Sequence, residues 1–546
     1  MIFGDFVYST SLEIFVAFNK KEFFEALEQI DKKKSLGYLV GYIKYEAWHY
    51  FIDEEYCSKT PLLYFELFAE RTPFCPNDME YNVFYPKVVQ KQNFTLYKNN
   101  IAKIKSAIKR GDTYQVNYTY PIELSTHCNY HHIFSQILKN QNTVYKAFIE
   151  NQYEAILSFS PELFFELKDR QIIARPMKGT IKRDKDPVID KQNKYFLQND
   201  EKNKSENVMI VDLLRNDLSK IGSEVRVSAL FKILSFPTLH QMISEIKASV
   251  DSVSFVDVLR ALFPCGSITG APKLKTIEII QKLEKKPRNV YCGLIGVLHQ
   301  DEMCFSVPIR TLYHDKRAKN LLLNVGSGIV WDSVANEEYQ ESILKSQFIF
   351  PQNDFLLVET MLVKNGKICN FSLHQKRILQ SVRFFGFQKP DLSKIKIPHN
   401  AILRILVDRN GELYQENKSI AEITNFQITL ASAPMDSQND FLYHKTTYAP
   451  WYEEARKKIK NNEIFDCIFF NQKGELTEGA RSNLVLKINN DFFTPPVNVG
   501  ILNGVMRQKM LKSRKLKEKV LYKEDIYKAQ KIFCINSIRG MVEVFL

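Results

Sequence analysis

Glu338, Glu341 and Lys345 stand at i, i+3 and i+7 in EEYQESILK (337–345), so a helix there puts two carboxylates and an ammonium on one face. Such patterns are most often solvated helix edges. Here a further carboxylate, Glu206, opens a second helix-like segment, ENVMIVDLLRNDLSKIG. A hard divalent cation such as Mg²⁺ is commonly held by one or two such carboxylates, with water and an anionic substrate completing its shell. In GSITGAPKLK (266–275) Thr269 is a natural N-cap and Pro272 falls in the first helical turn, so the helix start offers free N–H groups to an anion. A Gly-x-Gly at Gly326 and Gly328 lets backbone amides approach another oxyanion, and Arg310 adds a fork suited to a carboxylate. Each feature is weak alone, since a Gly-x-Gly usually marks tight packing and a lone arginine a surface cation. Together they indicate a polyanionic small molecule.

Strands and helices must position these groups. LGYLVGYI (36–43) and PLLYFELFA (61–69) read as buried strands, and 98–110 as a helix with Ile101, Ile104 and Ile108 in phase, closed by Gly111. Apolar runs at 154–167, 171–181, 289–299, 303–313 and 320–331 alternate with helices to about residue 350, which describes an α+β body around one large mixed sheet system. Pro351 then interrupts the chain and FLLVETMLV begins at 355, so 350–354 read as a linker between domains 1–349 and 355–546. A length of 546 residues, 45% of them hydrophobic and 25% charged, excludes a single small module and a disordered chain. The net charge of +13 is spread along the sequence, favouring anionic small molecules over a nucleic-acid tract. Nine cysteines with no C-x-x-C pair signal neither zinc nor a secreted disulfide framework. With no cationic leader and no 18-residue apolar run, the expectation is a cytoplasmic protein that binds neither membrane nor nucleic acid.

The runs GDTYQVNYTYP (111–121), FSPELFFEL (159–167), ARPMKGTIKR (174–183), ENVMIVDLLRNDL (206–218), FPCGSITGAPKLKTIEII (263–280), YCGLIGVL (291–298), IRT (309–311) and GSGIVWDSVANEEYQESILK (326–345) resemble, in order, the signature of the chorismate-utilising enzymes. The resemblance spans about 110–348, and 36–66 more loosely. It implies two layered sheets flanked by helices with chorismate between them. It also implies Mg²⁺ on Glu206 and Glu341 with Glu338 in support, assisted by Lys345 and the Gly326–Gly328 amides. Lys178 becomes the nucleophile and Glu162 the acid, Arg310 and Tyr291 hold the enolpyruvyl carboxylate, and Thr180, Thr269 and His240 join the substrate-binding set. Relatives that add water carry a lysine where this chain has Gln115; glutamine cannot serve as a general base, which points to amination. The anthranilate branch usually has alanine at the position of Lys178, which instead matches the lysine of aminodeoxychorismate synthases. No cysteine here lies in a Gly-x-Cys-x-Gly elbow, so ammonia is expected from a separate glutamine amidotransferase subunit.

The segments VETMLVKNGKI (358–368), LHQKRI (373–378), YHKTTYAP (443–450), DCIFFNQKGELTEGARSNLVL (466–486) and VGILNGVMRQ (499–508) resemble the class IV pyridoxal-phosphate enzymes. GVMRQ and FCINSIRGMVEV look closer to aminodeoxychorismate lyase than to the aminotransferases. A smaller α/β domain is implied, with Lys445 for the aldimine, Glu478 for the ring nitrogen, and Arg377 with the amides of Val505 and Met506 for phosphate. Ser482 and Asn483 would buttress the ring and Thr360 meet the substrate; a homodimer through this domain is the assembly suggested. The chain departs from the pattern by lacking the Gly-Asp-Gly before its Glu-Thr segment, by Leu362 in place of a basic residue, and by Met506 where aminotransferases often have threonine. Jointly the halves imply 4-aminobenzoate synthesis for folate. The rivals are an anthranilate-type synthase fused to an aminotransferase, a C-terminal half without catalytic activity, and a basic nucleic-acid-binding protein, the last opposed by the scattered charge.

Overall fold

The computed structural model describes every residue except 77–85, 126–128, 185, 236–238, 351–354 and 438. The chain divides into two compact units, one running to Phe350 and the other from there to Leu546. Of the expected 350–354 linker, residues 351–354 lie outside the described residues. Among the described residues no helix is long and apolar enough to cross a membrane.

In the first unit the described strands form one hydrogen-bonded network of 18 strands. Strand Tyr38–Ile43 shows why its sequence reads as continuously apolar. Leu39 and Ile43 face one buried cluster, and Val40 and Tyr42 face another. It pairs antiparallel with Leu63–Pro73 on one side and Leu294–His299 on the other. Gly41 lies opposite Gly296, and a Cβ at Gly41 would come within 2.1 Å of the Tyr64 carbonyl. Helix Phe94–Lys109 starts earlier than the apolar periodicity suggests because the Asn93 side chain accepts from the Leu96 amide; Gly111, at φ +80, follows its end.

Four elements matter for chemistry. Strand Gln115–Ser125 pairs with Leu321–Ile329, and strand Met177–Lys182 pairs with Leu239–Ser249. Helix Ala335–Lys345 carries the acidic face expected of it. Helix Glu201–Leu218 corrects an expectation: Asp200 caps it by accepting from the Asn203 amide, so Glu206 sits in its second turn rather than at its start.

The second unit pairs Leu357–Lys364 with Ala401–Val407, which pairs with Leu413–Lys418; helix Phe371–Phe385 packs against the first of these. A further sheet runs through Asp466–Phe470, Leu476–Gly479 and Asn483–Ile488, and helix Val505–Lys512 starts after it. Alternation of apolar residues on these strands fills a separate core that includes Ile468, Leu476, Leu484 and Leu486.

One buried ion pair tests the first unit. Lys44 Nζ lies 2.6 Å from Glu154 and 2.6 Å from Thr60 Oγ1, and Tyr313 donates to the same carboxylate at 2.6 Å. Lys44→Met should destabilise this unit by about 3–5 kcal/mol, because Glu154 then stays buried as an uncompensated charge. Adding Glu154→Gln should restore much of the loss in chemical denaturation. A Lys44→Met chain as stable as the parent would contradict this.

Candidate active sites

The first unit encloses a cavity of about 270 Å³. Lys178 and Thr180 reach it from strand Met177–Lys182, where the register shifts at Gly179, whose φ is +77; this bulge lets near neighbours face one space. Glu206 enters from helix Glu201–Leu218, and Glu338, Glu341 and Lys345 from helix Ala335–Lys345. Glu162, Tyr291 and Arg310 complete the charged and polar lining. Burial brings the Arg310 guanidinium down to about 10, and no carboxylate pairs with it among the described residues. That is a buried cation facing a cavity, the arrangement an anionic ligand resolves.

A short relay connects the proposed nucleophile and acid. Lys178 Nζ donates to the Ser267 carbonyl at 3.2 Å, and Ser267 Oγ donates to Glu162 at 2.7 Å. Burial pushes the Glu162 carboxyl up to about 7, against the opposing pull of Ser267 and the Lys178 charge. Burial also pulls the Lys178 amine down, against Glu206 and Glu162. Burial thus moves both groups toward their uncharged forms, while each one's charge opposes the shift of the other.

The acidic trio is less uniform than its spacing suggests. Glu341 pairs with Lys345 at 2.8 Å, which holds its carboxyl below the usual range. Glu338 accepts from Ser333 at 2.7 Å and lies 3.6 Å from Lys202. Glu206 is pushed up by burial, and the Glu338 and Glu341 charges add to that. Among the described residues no three acidic, histidine or cysteine side chains close into a metal cluster, while Glu206, Glu338 and Glu341 all line the same cavity. Like charges raising Glu206 fit a cation there, its shell to be finished by substrate and water.

Three expectations around this cavity are corrected. His240 turns away: its Nδ1 meets Ser235 Oγ at 2.8 Å and its Nε2 meets Asp190 at 3.0 Å. Side chains alternate along strand Leu239–Ser249, so Gln241 faces the cavity instead, and its Oε1 is buried with no hydrogen-bond partner among the described residues. Sequence reasoning missed Gln241; the period-two pattern around His240 was the available signal. Thr269 does not cap the helix, because Gly270–Ala271 first pairs with strand Gln115–Ser125 and the helix runs Lys273–Leu283 behind Pro272. Its hydroxyl donates to the Cys265 carbonyl at 3.0 Å. Gly326 and Gly328 line the cavity as expected, but from within a paired strand rather than an anion nest. The Gly326 carbonyl accepts from Lys345, and a Cβ at Gly328 would come within 2.3 Å of Gln115 Nε2 and 3.3 Å of Lys178 Nζ. The missing side chain at 328 is what lets Gln115 and Lys178 crowd together.

The second unit encloses a cavity of about 420 Å³. Lys445 is tied to strand Leu357–Lys364 by its carbonyl, which accepts from the Val358 amide, and its Nζ lies 3.1 Å from Thr360 Oγ1. Burial, helped by the Arg377 charge, brings the Lys445 amine down to about 8. Burial pushes Glu478 up to about 8 although it accepts from the Leu502 amide, Tyr452 and Asn483. Ser482 lines the cavity and donates to Asp466 at 2.5 Å. Arg377 spends Nε and Nη2 on Glu359, both at 2.7 Å, leaving Nη1 as the part of its fork with no hydrogen bond among the described residues. Val505 lines the cavity at the first turn of helix Val505–Lys512; a Cβ at Gly504, its N-cap, would sit 1.9 Å from Asn483 Oδ1. Met506 packs its side chain against the apolar group Val485, Leu516 and Ile535, so only its backbone is available to a ligand. A buried amine, a carboxyl that takes a proton or a cation, and an anion cradle fit pyridoxal phosphate. Arg404, Trp451, Arg456 and Arg481 also line this cavity and were not singled out from the sequence, because isolated arginines carry no pattern.

The fold and the first cavity define an enzyme. The profile described as chorismate binding enzyme matches residues 75–351, and the chain belongs to that family. A second profile, amino-transferase class IV, matches 356–545. Aminodeoxychorismate synthase component 1 of Salmonella typhimurium is 39% identical over 253 residues, 46% of this chain and 55% of that protein. Anthranilate synthase component 1 3 of Haloarcula marismortui is 33% identical over 268 residues, 48% of this chain and 53% of that protein. The chain thus spans about half the length of the curated relatives it matches. Anthranilate synthase component I of Streptococcus pneumoniae shares the fold, with TM-score 0.54 and 20% identity over 64% of this chain and 92% of that one.

The acid form of Glu162 persists to about pH 7 and is lost above it. The Lys178 charge is one of the forces holding that value down, so Lys178→Met should move the midpoint upward. Difference infrared titration of the carboxyl band against a Glu162→Gln reference reads the shift; an unmoved or lowered midpoint would show that the two groups are not coupled.

Proposed function

We propose that the chain makes 4-aminobenzoate from chorismate in two steps, amination to 4-amino-4-deoxychorismate in the first cavity and loss of pyruvate in the second. The observation that supports it most is Lys178 and Glu162 lining one cavity, an amine drawn down beside an acid protonated to about pH 7, with Arg310 meeting no carboxylate there among the described residues. Lys178 Nζ adds to ring carbon 2, the double bonds shift, and the hydroxyl at carbon 4 leaves as water with the Glu162 proton. Ammonia adds at carbon 4, the bonds shift back, and Lys178 is released. Arg310 and Tyr291 hold the enolpyruvyl carboxylate. Glu206 and Glu341, with Glu338 behind them, would hold Mg²⁺, which when bound supplies positive charge to the ring carboxylate. Gln115 sits beside Lys178 without supplying a base for water.

Ammonia would come from a separate glutaminase subunit. Burial pushes the Cys265 and Cys292 thiols up to about 12, which suits neither to nucleophilic attack on glutamine.

In the second cavity Arg377, Lys445, Glu478 and the Val505 helix start would hold pyridoxal phosphate, which when bound supplies an electron sink. Lys445, with its pKa near 8, takes the proton from carbon 4 of the aminated ring, and pyruvate leaves as the ring becomes aromatic. Thr360 orients the Lys445 amine through their 3.1 Å contact.

Purified chain given chorismate, ammonium, Mg²⁺ and pyridoxal phosphate should yield 4-aminobenzoate. Lys445→Ala should accumulate aminodeoxychorismate, and Lys178→Ala should form neither product, as read by chromatography with mass detection. A 2-amino product would move the first step to the anthranilate branch; parent-rate 4-aminobenzoate from Lys445→Ala would overturn the second step. Glu206→Gln should raise the Mg²⁺ concentration for half-maximal rate roughly tenfold or more, and an unchanged titration would remove Glu206 from the metal site.

A further inference from the structure

The second cavity holds more positive charge than a bound phosphate uses. Arg377 and the start of helix Val505–Lys512 serve one anion, and Arg481 lies over the Phe465 ring near the Asp466 carboxyl. Arg404 on strand Ala401–Val407, Arg456 on helix Glu453–Lys460 and Trp451 line the same cavity without such a role. Arg456 stacks on Tyr452, 5.6 Å from the ring centroid, and meets no carboxylate among the described residues. Arg404 has one acidic contact, Glu416 at 3.3 Å, whose side chain is 43% exposed, and a solvated pair of that kind holds an arginine weakly. Trp451 Nε1 is buried with no hydrogen-bond partner among the described residues. Arg404 opposes the charge on Arg456, and both oppose the charge on Lys445, so they stand within electrostatic reach of that amine. The cavity therefore presents a wall of donors with little to accept them.

We propose that Arg404, Arg456 and Trp451 form a carboxylate-binding subsite that selects a dicarboxylate for the second step, with one guanidinium for each carboxylate. This rests on the lyase reading of that cavity and deepens it by naming the substrate class. A planar fork meets a carboxylate through two parallel hydrogen bonds, and the indole N–H adds a third donor. A ligand with one carboxylate engages one guanidinium and leaves the other, half-buried Arg404 or exposed Arg456, to solvent, whereas a dicarboxylate engages both. 4-Amino-4-deoxychorismate carries two carboxylates, one on the ring and one on the enolpyruvyl arm.

The test uses the full chain loaded with pyridoxal phosphate, whose absorbance reports only on the cavity of Lys445. Isophthalate and benzoate are titrated as dicarboxylate and monocarboxylate probes. Isophthalate should bind roughly tenfold or more tightly than benzoate, and Arg404→Gln and Arg456→Gln should each weaken isophthalate roughly tenfold while moving benzoate far less. Arg404→Lys and Arg456→Lys, which keep the charge and lose the fork, should fall between parent and glutamine variants and carry the same comparison where a glutamine variant loses the cofactor spectrum. Equal affinities for the two probes in the parent, or parent-like isophthalate binding in the variants, would overturn the subsite and leave the lyase reading in place. A parent chain that takes up no cofactor on Lys445 would overturn the lyase reading itself.

Discussion

Taking an amine and a carboxylic acid out of water together drives both toward neutral forms, and the chemistry of both cavities depends on that constraint. In the first, burial pulls Lys178 down and pushes Glu162 up to about 7. In the second, Lys445 falls to about 8 and Glu478 rises to about 8. The scaffold's task is to exclude water while leaving these groups short of strong partners. Gly328 and Gly504 contribute by having no Cβ where Gln115 and Asn483 must approach.

The count of partners separates these groups from ordinary buried ions. Lys44 is buried more deeply than Lys178, and it meets Glu154, Thr60 and Tyr313, while Glu154 also accepts from Tyr42 and Tyr313. Such a network is satisfied within itself and fixes strand positions. Lys178 has one carbonyl, and Arg310 has no acidic partner among the described residues. Buried polar groups left short of partners are costly to stability, and their natural completion is a ligand. The same comparison sets Arg377, locked to Glu359, apart from Arg456, which only stacks on a ring.

Much of this was legible in the sequence where periodicity or an ordered motif carried it. The face of helix Ala335–Lys345, the strand Tyr38–Ile43 and the gathering of Lys178, Glu206, Glu341 and Arg310 into one cavity follow from residue spacing or motif order. What escaped depends on events a local pattern does not encode. A one-residue shift in which face of strand Leu239–Ser249 meets the cavity exchanged His240 for Gln241. A two-residue strand inserted before helix Lys273–Leu283 removed Thr269 from the cap. Arg404 and Arg456 come from different elements and meet only through tertiary folding.

The two cavities solve the binding of polyanions by different electrostatics. The first is lined by Lys178, Lys202, Arg310 and Lys345 against Glu162, Glu206, Glu338 and Glu341, so its cations and acids are evenly matched. Its acids repel a carboxylate unless another positive charge intervenes, which is where a divalent cation on Glu206 and Glu341 changes the sign of that wall. The second is lined by Arg377, Arg404, Lys445, Arg456 and Arg481 against Glu478 alone. Some of these cations also meet acids behind the lining, Arg377 on Glu359 and Arg404 on Glu416, and the arginine charges add to burial in bringing the Lys445 amine down. The difference follows from what each site must keep neutral. In the first, burial alone holds the Glu162 carboxyl up against the pull of Lys178 and Lys345, whereas in the second burial and the nearby arginines act together in bringing the Lys445 amine down.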